Sequence, residues 1–186
     1  PELPGIEQAM MLQTLQKTAR KFCSRTEAWQ EELDSHNLVA DQRAYILSWD
    51  WCAEIRRIIN VWQNTAAGVA AGNTGKLIPK SEYKFEQEET LTFSKSAKPA
   101  SSVTNGLDVK VVFVPLLDTC SLPESFLNRW AEGIIAGAML HLMSMDKKTW
   151  TNPSRAQYYH IEYENQVNRA KQELLRENKD ADLYFM

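Results

Sequence analysis

Between Ser121 and Glu177 apolar residues recur at three- and four-residue spacing on both sides of one short polar break, and no other feature restricts the fold as much. Ahead of the break, Phe126, Trp130, Ile134 and Leu140 form a broad apolar face. Behind it, Ala156, Tyr159, Tyr163, Val167, Ala170 and Leu174 do the same. The first stretch opens with Ser121 as N-cap candidate and with Pro123 and Glu124 in the first turn, which predicts a helix running to about Met145. Asp146 to Trp150 is the polar connection. Thr151 or Asn152 then caps a second helix that starts at Pro153, where a missing N–H costs nothing. Two helices on a short loop make an αα-hairpin. Gly133 and Gly137, four residues apart beside Ala131, Ala136 and Ala138, permit a close helix–helix crossing. Glycine inside a helix costs about 1 kcal/mol relative to alanine, and close packing is the compensation expected.

An N-terminal helix precedes this hairpin. Leu12, Leu15, Ala19 and Phe22 share a face, Pro4 and Glu7 suit a first turn, and Ser24-Arg25-Thr26 is the predicted end. The middle of the chain, about 28 to 117, reads as strands. Short ones are expected at Trp29 to Leu33 and Ala44 to Leu47, with Asp34 to Asn37 as a turn. Ile55, Ile58, Ile59 and Val61 favour a strand over Glu54 to Trp62, although Ile55, Ile58, Ile59 and Trp62 also fit a helix. Further strands are expected at Glu82 to Phe85, Thr90 to Phe93 and Val109 to Pro115. Thr65 to Gly75 and Ser94 to Gly106 read as long loops. The fold class expected is therefore α+β and mainly helical: one domain in which a helical bundle (6–25 and 121–177) carries a β-rich insertion (28–117) and ends in a docking tail (178–186).

Little in the chain points to chemistry. His36, His141 and His160 have no cysteine or carboxylate at metal-ligand spacing, so no metal or cofactor is expected. Cys23, Cys52 and Cys120 form no CxxC pair and lack a local base, so they read as reduced, inert thiols. Gly72-Asn73-Thr74-Gly75-Lys76 lacks the spacing of a phosphate-binding loop. Arg56-Arg57 with Lys76, Lys80 and Lys84 is ordinary surface charge without an RNA-binding motif, and Glu31-Glu32 and Glu88-Glu89 read as solvated. A net charge of -3, with 21 basic residues scattered among 24 acidic ones, argues against a duplex-DNA grip. No apolar run reaches the roughly 20 residues of a membrane span. The opening Pro1-Glu2-Leu3-Pro4 predicts no signal peptide and the loss of only an initiator methionine. What the sequence has in surplus is contact material. There are six tryptophans (Trp29, Trp49, Trp51, Trp62, Trp130, Trp150) and an apolar terminus of Leu183, Tyr184, Phe185 and Met186. Trp130, Gly133, Gly137, Trp150, Tyr159 and Tyr163 join that terminus as the interface residues expected.

In order and spacing, several segments resemble one known family. They are Leu122-Pro123-Glu124-Ser125-Phe126-Leu127, Trp130 to Ala138, Leu142 to Met145, Trp150-Thr151-Asn152-Pro153, and Ala156 with Tyr159. At the front stand Phe22-Cys23, Thr26, Trp29 and Tyr45-Ile46-Leu47. Together, over about residues 6 to 175, they resemble head-to-tail adaptor proteins of short-tailed and related phages; residues 65 to 106 carry little of the likeness. The resemblance implies a non-enzymatic virion protein made in the host cytoplasm. It implies a dodecameric ring in the neck of the tail, between the portal protein and a tail or nozzle protein, through which DNA passes without sequence-specific binding. Other readings are a nozzle or gatekeeper ring of the same tail, or a DNA-packaging protein. The mix of Arg155, Arg169, Lys171 and Arg176 with Glu162, Glu164, Glu173 and Glu177 argues against the last.

Overall fold

Asn152 and Pro153 start the longest helix as their chemistry demands: the Asn152 side-chain oxygen accepts a hydrogen bond from the Arg155 N–H at 3.1 Å, and the helix follows from Pro153. The structure, a computed structural model, describes residues 3, 5–64, 75–86, 89–117 and 121–183, with side chains up to Glu177. It contains α1 (Gln8–Thr26), α2 (Glu124–Met143) and α3 (Pro153–Leu183). Among the described residues eight strands lie between α1 and α2: β1 (Gln30–Glu32), β2 (His36–Leu38), β3 (Ala44–Ile46), β4 (Ala53–Gln63), β5 (Lys76–Leu77), β6 (Tyr83–Glu86), β7 (Thr90–Phe93) and β8 (Val103–Pro115). The chain divides into two compact units. One comprises Pro1–Trp29, Cys52–Glu54 and Val114–Met186, the other Gln30–Trp51 and Ile55–Phe113.

The expectation of a mainly helical chain is corrected by these strands. The fold is α+β with substantial sheet, including a curled antiparallel sheet and a second sheet. β8 and β4 run for 13 and 11 residues. The sequence underestimated β8 because its first half carries few strand-forming side chains: Asn105 has φ +50 and Gly106 stands where an added Cβ would meet Val103 Cβ at 2.8 Å. Glycine and a left-handed residue mark an irregularity inside a strand as readily as they mark a loop, and the β2–β8 register shifts there. The expected turn at Asp34 to Asn37 is likewise partly strand β2.

In the helical unit α2 packs antiparallel to α1 and to α3. Where a Cβ would stand on Gly133 lie Phe22 Cε2 at 2.9 Å and Gln166 Cβ at 3.0 Å. On Gly137 the neighbours are Thr18 Cγ2 at 2.6 Å and the Tyr163 ring at 2.8 Å. The two glycines thus let three helices meet at one level. Around them Phe22 contacts Trp130 and Tyr163 at ring-centroid distances of 5.9 and 6.2 Å. Outside this core, Arg25 holds Glu164 with two hydrogen bonds of 2.7 and 2.8 Å, which keep that carboxyl below its ordinary range. Arg20 donates to the Pro115 carbonyl and pairs with Glu54, fastening the strand ends that belong to this unit.

Three helix boundaries differ from expectation. Ser121 is not the N-cap of α2; Pro123 is, with no side-chain cap bond. α2 ends at Met143 rather than Met145. α3 continues to Leu183, so residues 178–183, expected as a tail, extend the helix.

In the other unit, β1 and β2 pair with β8, which neighbours β4, and β5 pairs with β4. A three-stranded sheet is ordered β3-β7-β6, with Tyr45 facing Leu91 and Phe85 also facing Leu91 on the other side. Val109, Val111, Val112 and Phe113 are all buried, which explains a continuous apolar run in place of alternation. A polar cluster sits inside this unit. The buried Asp108 carboxylate accepts hydrogen bonds from Ser35 Oγ at 2.5 Å and Asn64 Nδ2 at 2.7 Å. Asn64 also donates its N–H to the Gly106 carbonyl. An added Cβ on Gly75 would fall 2.2 Å from Asn64 Oδ1, so Gly75 is restricted to glycine. Asp108→Ala leaves the Ser35 and Asn64 donors without this acceptor. It is expected to cost about 1–3 kcal/mol, read as a lower urea midpoint at unchanged slope.

Candidate functional site

Helix α1 carries two apolar stripes and buries only one. Thr14, Thr18, Phe22 and Cys23 are covered, together with Ala19 and Thr26. Leu12, expected in the core, is 56% exposed. Thr18 rather than a leucine meets Gly137, because only a small side chain fits that crossing. The other stripe, Leu12 and Leu15, lines a groove together with the buried Ala19, with Leu127, Ala131, Ile134 and Ile135 of α2, and with Pro115, Leu116 and Leu122. These residues enclose an open groove of about 410 Å³.

The groove is mainly apolar; among the described residues Gln16 and Ser121 are the polar ones lining it. Leu116, Leu117, Leu127 and Ile135 are 43, 48, 38 and 52% exposed, which leaves a contiguous apolar surface open to solvent. Such surfaces mark binding sites in soluble proteins. Among the described residues no titratable side chain lines the groove, so what they offer a ligand is apolar surface.

Of the residues expected at an interface, those whose side chains are described do not line the groove. Trp130 and Tyr163 are 3 and 2% exposed and pack, with Gly133 and Gly137, inside the helical unit. Trp150 is 9% exposed, and Tyr159 is half-buried against the ring of Tyr158. Leu183 is the last residue of α3, while Tyr184, Phe185 and Met186 lie outside the described residues. Of the tryptophans, Trp29, Trp62, Trp130 and Trp150 are buried.

Burial pushes the Cys23 thiol up to about 12, so it stays protonated at neutral pH. Cys52 is exposed, and Cys120 lies outside the described residues, as does most of Gly72 to Lys76. His141 and His160 are exposed, and His36 is half-buried with its pKa lowered by desolvation. Among the described residues no group of three or more His, Cys, Asp or Glu is arranged to hold a metal ion, and no helix is long and apolar enough to cross a membrane. The groove escaped the sequence because its residues follow the same periodicity as core residues. Only the pairing of Leu12 with a threonine stripe hinted that α1 has two faces. No family model and no curated protein matches the chain.

Proposed function

We propose that this chain is a structural subunit of a phage neck, a head-to-tail adaptor that forms a ring between the portal and the tail. The observation that carries this reading is the groove formed by Leu12, Leu116, Leu127 and Ile135: an apolar surface, uncharged among the described residues, on which these four side chains are exposed. A ring requires each subunit to present two different complementary patches. The groove is one of them. The terminus Leu183-Tyr184-Phe185-Met186, preceded by Asp180 and Asp182, has the apolar and acidic character to be the other, on the portal or on a neighbouring subunit. The segment order from Phe22-Cys23 to Asn152-Pro153 that resembles adaptor proteins supports the same reading.

The test is assembly with the portal protein encoded in the same genome. Native mass measurement and electron microscopy of the mixture are expected to show a closed ring seated on the portal. Leu127→Asp with Ile135→Asp changes two exposed side chains and is expected to keep the helical circular dichroism while abolishing the ring. A variant that still assembles fully, or a wild-type chain that ignores portals and binds DNA with a steep salt dependence, overturns the proposal.

A further inference from the structure

We infer that the outer face of α3 binds the same face of a second copy of this chain, antiparallel, about a two-fold axis midway between Asn165 and Asn168. This rests on residues of α3 alone and is independent of the ring reading. Ser154, Tyr158, Ile161, Asn165, Asn168, Gln172 and Leu175 are spaced 4, 3, 4, 3, 4, 3 along the helix, and all are exposed. They lie opposite the buried side of α3, where Tyr163, Val167 and Ala170 meet the core. None is charged, and Tyr158, Ile161 and Leu175 are 61, 56 and 62% exposed. A solvated face would carry charges at some of these positions; this one has the spacing of a coiled-coil seam.

The charges bordering the seam choose the occupant and its direction. Arg155, Glu162, Arg169 and Arg176 flank one side, Gln157, Glu164 and Lys171 the other. With two copies antiparallel about the stated axis, Tyr158 stands against Leu175 of the second copy, Ile161 against Gln172, and Asn165 against Asn168. In that register Glu162 faces Arg169 across the seam, and Glu164 faces Lys171. Each pair is offset by only about 3 Å along the axis at 1.5 Å per residue, and the two-fold repeats both pairs. Sliding one copy by seven residues either way sets Glu162 against Glu162 and Glu164 against Glu164, or Arg169 against Arg169 and Lys171 against Lys171. A parallel pair, in which flanking residues five apart meet, gains Glu164 with Arg169 but sets Lys171 against Arg176. The stated register also sets Arg155 against Arg176, but its two attractive pairs outnumber that one repulsive pair, whereas the parallel and slid arrangements gain no net attraction. Arg169 already shares Glu173, and Glu164 already holds Arg25, so the pairs serve orientation and register more than affinity.

Ser154 to Leu175 spans about 32 Å of helix, and a single helix pair buries less than the roughly 1,600 Å² of a standard interface. The dimer expected is concentration-dependent and weakened by salt. Sedimentation velocity of the full chain at low salt is expected to show mass rising toward twice 21.3 kDa with concentration. Glu162→Lys and Lys171→Glu, both remote from the core, each install two like-charge contacts and are expected to weaken the dimer roughly tenfold. Orientation is read by cross-linking in a Cys52→Ser, Cys120→Ser background. A mixture of Tyr158→Cys and Leu175→Cys chains forms the disulfide, and neither variant does so alone. A chain that is monomeric at every concentration, a dimer indifferent to both charge reversals, or self-cross-linking of Tyr158→Cys overturns the inference. Failure of portal assembly with the wild-type chain would not, since that tests the groove.

Discussion

Phe22→Ala is expected to lower the stability of the helical unit by about 3–5 kcal/mol, the range for removing a fully buried aromatic ring. Phe22 is 0% exposed. Its ring touches Trp130 and Tyr163 and lies over the place where Gly133 lacks a side chain. The wall of any cavity left behind is therefore made of two large rings and a helix backbone, none of which can collapse into it cheaply. Typical domains hold only about 5–15 kcal/mol in total, so the variant is expected to unfold at much lower urea, with exposed tryptophan fluorescence from Trp130. A loss below about 1 kcal/mol would mean that the three helices do not depend on this contact.

Gly137→Val is expected to destabilise the same unit by about 3 kcal/mol, the upper part of the range for overpacking. Glycine to a side-chain-bearing residue ordinarily favours a helix; Gly to Ala gains about 1 kcal/mol from propensity. Here the gain is outweighed, because a Cβ at 137 already stands 2.6 Å from Thr18 Cγ2 and 2.8 Å from the Tyr163 ring. The smaller change Gly137→Ala carries the sign test: stabilisation would show that the helices separate freely. Thr18→Ser removes the nearest methyl and is expected to recover part of the loss, a coupling that a double-mutant cycle measures.

Several features of this chain were legible because their causes are local. Asn152-Pro153 starts α3 through a cap and a proline whose effects act within one turn. The valine run of β8 and the isoleucines of β4 are strands because branched side chains suit a pleated backbone. The amount of sheet was underestimated for an equally physical reason. Asn105, Gly106 and the short β2 hold their place through Leu38, Val103 and Asn37, partners that no local pattern announces. The end of α3 was placed too early because residues 178–183 mix acids with lysine and asparagine and carry no stop signal.

The interface residues show the limit most clearly. Trp130, Tyr163 and the two glycines are rich in contact potential, and the chain spends that potential on itself. Leu12, Leu127 and Ile135 follow the same helical periodicity and remain open. By itself the sequence determined the helix hairpin, the strand-forming middle and the presence of more apolar faces than one small core consumes. Which face is covered was decided only in the tertiary structure. Periodicity states that a stripe is apolar, whereas burial depends on whether another element fits against it. The close crossing at Gly137 admits Thr18, and that choice turns Leu12 and its neighbours outward to form the groove.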